Sequence, residues 1–292
     1  MFRGILRGLL LLSAFWAGVA TSGVASAEVP CARIVSLAPS VTEVLYDLGL
    51  GANVVGRTRF CRYPPESLQV PAVGGLYDLS LEAIVTLKPT HIVTPQESAD
   101  IARKAKRFGI QVIEVDHTSI SGIKDSIGKI GVLCGARPRA EERLLSLAER
   151  ERAVQARIAD KTHLRTLVVV GRTHERSGGS SVYVSGSDGF YSDVLQLVGA
   201  LNVNKKPTVA IPLLSPEGLL SLAPDAIVEI INVDDENRSD GGEKLWNAFA
   251  AVPAVKNHRI YMVSDEFASI PGPRYIELVE KLAGLLHADA TK

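Results

Sequence analysis

Two stretches of this 292-residue chain repeat one another, and that echo constrains the fold more than any other feature. Leu79-Ser80-Leu81-Glu82-Ala83-Ile84-Val85 leads to Leu87-Lys88-Pro89-Thr90-His91-Ile92-Val93. Leu214-Ser215-Pro216-Glu217-Gly218-Leu219-Leu220 leads to Leu222-Ala223-Pro224-Asp225-Ala226-Ile227-Val228. In both copies a Ser cap opens a short helix, a Pro stops it, and a β-branched strand follows. Upstream, Ser40-Val41-Thr42-Glu43-Val44-Leu45 resembles Tyr191-Ser192-Asp193-Val194-Leu195. A chain that repeats a strand–helix unit in this way folds as two related halves.

The rest of the chain fits that pattern. Apolar strands over Arg33 to Leu37, Asn53 to Gly56, Thr90 to Thr94 and Gln111 to Val115 alternate with helical stretches beginning at Pro39, Ser80, Ala99 and Ser119. This βαβ alternation predicts a parallel sheet covered by helices. A charged helix follows from about Pro138 to Asp160, with Leu144, Leu145, Leu147, Ala148, Val154 and Ile158 as its apolar face. At 1.5 Å per residue it reaches roughly 35 Å, enough to cross between lobes; an ordinary surface helix is the other reading. The second half places strands at Leu167 to Val170, Val182 to Val184, Ala226 to Ile230 and Arg259 to Val263, and a terminal helix from Pro273 to Leu286. The expected fold is α/β, with two Rossmann-like lobes of parallel sheet joined by one long helix. The lobes cover 28–135 and 163–292, with the bridging helix at 136–162. One continuous α/β domain is the alternative.

The N-terminus reads as an export signal. Arg3 and Arg7 precede an apolar run from Leu9 to Ala20, and Ala25-Ser26-Ala27 forms a cleavage pattern, so residues 1–27 are expected to be removed. The apolar run is shorter than a membrane span needs; an uncleaved anchor is the alternative. Export places the chain in the periplasm, where its three cysteines meet oxidising conditions. Cys31 precedes the first strand, and Cys134 ends a helix returning to that same edge of the sheet. Cys61 follows the second strand at the opposite edge. The expected pairing is therefore Cys31 with Cys134, leaving Cys61 free. Cys31 lacks the small-residue and Leu context of a lipid attachment site. Lys plus Arg and Asp plus Glu balance at 32 each, which gives no basic field for nucleic acid.

Enzyme signatures are missing. The chain has no G-x-S-x-G, no H-E-x-x-H and no G-x-x-x-x-G-K-[ST]. The runs at Gly178-Gly179-Ser180-Ser181 and Gly186-Ser187-Asp188-Gly189 read as cleft loops, with His174-Glu175 a weak acid–base pair. Six His residues form no evident bare-metal site, although His117 follows Asp116 after a strand, where one ligand group fits.

These residues taken in order resemble the class III periplasmic solute-binding proteins of ABC importers, the helical-backbone metal receptor family. The carriers are Arg33-Ile34-Val35-Ser36-Leu37-Ala38-Pro39-Ser40 with Thr42-Glu43, Val54-Val55-Gly56 leading to Tyr63-Pro64-Pro65, Val73-Gly74-Gly75, Leu87-Lys88-Pro89 and Pro271-Gly272-Pro273-Arg274. The Tyr-Pro-Pro and Pro-Gly-Pro-Arg pieces look most like the cobalamin-binding branch. The resemblance implies a monomeric, non-enzymatic receptor with no resident cofactor. Its cargo would be a metal chelate, namely cobalamin, haem or a ferric siderophore, and its partner the permease dimer of an ABC importer. It places the ligand between the lobes, near Phe60, Cys61, Tyr63, Tyr77, Gln96, Arg172, Tyr183, Phe267 and Arg274. Glu82 and Glu217 would dock on Arg residues of the permease, although a carboxylate in a helix's first turn also favours the helix dipole. For haem, Tyr77 is the candidate axial ligand, with His174 across the cleft. The low aromatic content, 5%, is unusual for a site that holds a flat macrocycle.

Overall fold

The computed structural model describes residues 30–173, 181–205, 211–231 and 246–288. The expected export segment, residues 1–27, and the stretch with His174, Glu175 and Gly178 to Ser180 lie outside the described residues.

The first half runs β1 (Ile34–Ser36), α1 (Pro39–Asp47), β2 (Val54–Arg57), α2 (Leu81–Thr86), β3 (His91–Pro95), α3 (Ala99–Ala105), β4 (Gln111–Val115) and α4 (Ile120–Leu133). Its strands form one parallel sheet in the order β2-β1-β3-β4. The chain passes from β1 outward to β2 and then back to β3 on the other side. That reversal opens a crevice at the C-terminal ends of the strands. Local chemistry sets the boundaries: Ser80 and Ser119 accept the N–H groups of Ala83 and Gly122 and so cap α2 and α4. Gly109, at φ 76°, ends the turn after α3 in the left-handed region that favours glycine.

Helix α5 (Arg137–Ile158) then leads to β5 (Arg165–Arg172), β6 (Val182–Val184), α6 (Phe190–Leu197), β7 (Leu201–Asn202), β8 (Leu213–Leu214), α7 (Pro216–Leu222), β9 (Ala226–Ile230), α8 (Pro253–Lys256), β10 (Ile260–Val263) and α9 (Tyr275–Leu286). Strands β5, β9, β10 and β7 are parallel, but β6 adds antiparallel to β5 on the side away from β9, and β8 in turn pairs antiparallel with β6. The second sheet is therefore mixed where a wholly parallel one was expected. The reason is the short return from β5 to β6, a hairpin-type connection that leaves no room for a crossover helix.

Alternate residues of each strand face opposite layers. Ile34 and Val168 face a central layer shared by both halves, where they meet Val44, Ile127, Leu147, Val194 and Leu282. Val35 and Ile92 face outward onto Ile84 and Ala102, while Leu167 and Ile227 face outward onto Leu219 and Trp246. The continuous middle layer is what joins the two sheets. Helix α5 is tied to both. Arg143 pairs with Asp47 at 2.9 Å and donates to the Pro273 carbonyl, and Lys124 pairs with Glu151 at 2.7 Å. Tyr275 Oη donates to Glu151 at 2.7 Å, and Arg150 grips Glu280 with two bonds. Cys31 and Cys134 form a disulfide that ties the start of β1 to the end of α4.

Candidate functional site

A cavity of about 580 Å³ opens at the C-terminal ends of the first sheet's strands. Leu37 to Ser40 follow β1, Thr58, Phe60 and Arg62 follow β2, Pro95 ends β3, and His117 follows β4; all of them line it. The loop after β10 closes the opposite wall with Glu266, Ser269, Ile270 and Pro271. Most of the lining is apolar, and Leu76 and Tyr77 stand at the wall on a segment that runs beside β2. Arg57 N–H donates to the Pro71 carbonyl, Val73 N–H to that of Arg57 and Arg59 N–H to that of Gly74, which holds the two rim segments together. Arg59 also pairs with Asp78, whose other oxygen accepts the Gly75 N–H at 2.8 Å. This arrangement presents Phe60 and Tyr77 on the same jaw, with Tyr77 97% exposed.

The polar groups of this region divide into two buried pairs. His117, 5% exposed, bonds through Nδ1 to Ser40 Oγ at 2.7 Å, and its Nε2 has no partner. Burial lowers its pKa to about 4 despite the opposing charge of Asp116, so the ring is neutral at physiological pH. One turn further along α1, Glu43 receives Arg274 from the start of α9 at 2.5 Å. Arg274 also lies 3.6 Å from Glu266 and 3.8 Å above the Tyr63 ring. Burial raises the Glu43 pKa to about 7, more than the hydrogen bond and charge of Arg274 lower it; Glu266 and Asp47 add to the rise. For Arg274 burial opposes the charge, but Glu43 more than offsets it and holds the guanidinium protonated.

Of the residues the sequence pointed to, Phe60 and Tyr77 line the cavity. The others take different places. Cys61 is wholly buried, bonded to Thr58 Oγ1 at 3.1 Å, and burial raises its thiol pKa, so it offers no thiolate to a ligand. Arg274 pairs with Glu43 and lies over the ring of Tyr63, which stays part-exposed. Arg172 is turned to Glu229 on β9, which also accepts Trp246 Nε1–H at 3.0 Å. Tyr183 packs over Gly171 across the β5–β6 pair, and Phe267 packs against the central layer. Gln96 is exposed on the turn after β3, and it is its neighbour Pro95 that meets the cavity. Glu82 and Glu217 are exposed at the second position of α2 and α7, each behind a Ser cap. The sequence reading missed Leu37, Ser40, Leu76 and Ile270 as lining. Leu37, directly after a strand, and Ile270, before Pro271-Gly272, had position as their only signal; Ser40, inside α1, and Leu76 had none. Among the described residues no group of three His, Cys, Asp or Glu side chains is placed to hold a bare metal ion, and no helix is long and apolar enough to cross a membrane.

Comparison with known proteins adds the following. The model of a family described as periplasmic binding protein matches residues 34–266. The chain is 33% identical over 267 residues to the ABC transporter substrate-binding lipoprotein YvrC of Bacillus subtilis (strain 168), itself uncharacterized; the match covers 89% of this chain and 81% of that protein. Among solved structures, the periplasmic vitamin B12 binding protein BtuF of Vibrio cholerae superposes with a TM-score of 0.74 at 22% identity, over 88% of this chain and 97% of that one. The periplasmic heme-binding protein BhuT in complex with two hemes gives 0.75 at 22% identity, over 87% and 97%.

Proposed function

This chain belongs to the periplasmic binding protein family, and on that footing we propose that it captures a metal chelate, a corrinoid such as cobalamin first, and hands it to the permease dimer of an ABC importer. One observation carries the ligand class: the cavity at the strand ends is wide, mostly apolar and walled by Phe60, Leu76, Tyr77 and Ile270. A flat macrocycle buries its faces against such walls and leaves its polar rim to the mouth. The vitamin B12 binding protein of Vibrio cholerae shares the fold. The chain would be exported by its N-terminal signal and work as a monomer, with Glu82 and Glu217 as the contacts to the two permease subunits. The ion pairs from α5 to both halves favour a small closure on binding rather than a wide hinge.

Haem is the second reading, because Tyr77 extends its phenol almost fully into solvent at the cavity, where an axial ligand has to stand. Titration of the purified mature protein with cyanocobalamin, haemin and a ferric siderophore, read by native mass spectrometry and absorption, tests the proposal. A one-to-one complex with a corrinoid is expected. Haemin binding with loss of its spectrum in Tyr77→Phe would favour the second reading. Failure of all three ligands refutes both.

A further inference from the structure

His117 is the polar residue of the cavity that the fold alone does not explain. It sits between β4 and α4, at the strand ends where the cavity opens, and contributes to the wall beside Ser40. Its Nδ1 is held by Ser40 Oγ, which fixes the plane of the ring. Its Nε2 is buried and makes no hydrogen bond. A buried polar atom without a partner costs roughly 1–3 kcal/mol, and native structures retain few of them. The Ser40 bond offsets part of that cost, but it engages only Nδ1 and gives no account of Nε2. Three features together match an imidazole that ligates a metal. It is neutral, one nitrogen is oriented by a hydrogen-bond partner, and the other is left unengaged.

We propose that His117 is an axial ligand, through Nε2, to the metal centre of the bound chelate. This rests on the metal-chelate reading above and narrows it to chelates whose metal has an open or exchangeable axial position. Nε2 itself is covered in the ligand-free state, so the incoming ligand has to displace the lining over it. A metal–nitrogen bond at a nitrogen that had no partner offsets the cost of that displacement. With the Nδ1–H donated to Ser40 Oγ, the lone pair on Nε2 forms the bond and a water on the metal leaves; no proton or electron is transferred.

Two probes separate the sources of such a metal: haemin for iron and aquacobalamin for cobalt. Each is titrated into the mature protein, its His117→Ala variant and its Ser40→Ala variant, and absorption is recorded on the bound ligand. With one or both probes, His117→Ala is expected to shift the bound ligand's spectrum and weaken affinity about tenfold or more, and added imidazole to restore the spectrum. Ser40→Ala, which removes the orienting partner, is expected to weaken affinity about tenfold with a smaller spectral change. Should His117→Ala fail to fold, pulsed EPR of the haemin-loaded wild type, with and without ring-¹⁵N histidine, reads the coordinated nitrogen directly. A bound ligand with the same spectrum in wild type and His117→Ala overturns the proposal and leaves the metal-chelate reading standing. Weaker binding without a spectral change also overturns it, because that marks contact with the ligand's edge. If wild type binds neither probe the proposal falls, and binding of cyanocobalamin or a ferric siderophore then decides whether the metal-chelate reading falls with it.

Discussion

Replacing Glu43 with Gln should remove a pH dependence that the fold builds into the junction of α1 and α9. Glu43 is 2% exposed, and its pKa rises from the ordinary 4.5 to about 7 because burial outweighs the pull of Arg274. The charged groups around it are Arg274, Glu266 and Asp47, and Asp47 is itself paired with Arg143. Since the native value lies above the unfolded one, the folded protein binds this proton more tightly. The stabilisation is complete below the unfolded value of 4.5 and is lost as pH rises through about 7. A difference of that size is worth about 3 kcal/mol. Gln stands in for the protonated carboxyl. The variant and the wild type should therefore be nearly equal in stability near pH 4.5, and the variant should be the more stable by up to about 3 kcal/mol at pH 8. Urea unfolding followed by the fluorescence of Trp246, the one Trp beyond residue 27, measures this at several pH values. If the two proteins keep a constant difference across the range, or Gln is clearly the less stable at pH 8, then attraction to Arg274 outweighs burial and the reasoning is wrong.

Three further outcomes follow from the same structure. Reducing the Cys31–Cys134 bridge, which spans a separation of 103 residues, should destabilise the protein by about 2–5 kcal/mol, seen as a fall in the urea midpoint with dithiothreitol. Arg172→Ala takes the nearest cation from Glu229, which is 1% exposed, and should cost about 3 kcal/mol in the same assay while ligand affinity stays within a few fold. A Glu82→Ala, Glu217→Ala double variant should bind ligand as the wild type does and lose uptake in a reconstituted importer; undiminished uptake would refute the docking role.

How much of this was legible in advance depended on range along the chain. The caps at Ser80, Ser119 and Ser215 each satisfy an N–H three residues on, to Ala83, Gly122 and Gly218, so helix starts could be read from neighbouring residues. Strands β4, β6 and β9 have the bounds that their apolar runs indicate. The candidate site was less legible. Phe60 and Tyr77 were named as lining because the family resemblance places their loops at the ligand, and both line the cavity. Ser40, Leu76 and Ile270 passed unnoticed, and the pairing of Arg274 with Glu43 had no local sign.

The sequence by itself determined the alternation of strand and helix, the doubling of that unit and the stiff rod between the copies, because hydrophobic period and capping act over a few residues. Only the tertiary structure decided that β6 turns back antiparallel against β5, that Arg274 finds Glu43 across 231 residues of chain, and that His117 meets Ser40 across 77. Those partners are chosen by packing of the shared middle layer. A buried charge or imidazole takes whichever group the fold brings within about 3 Å, and no local pattern records which one that is.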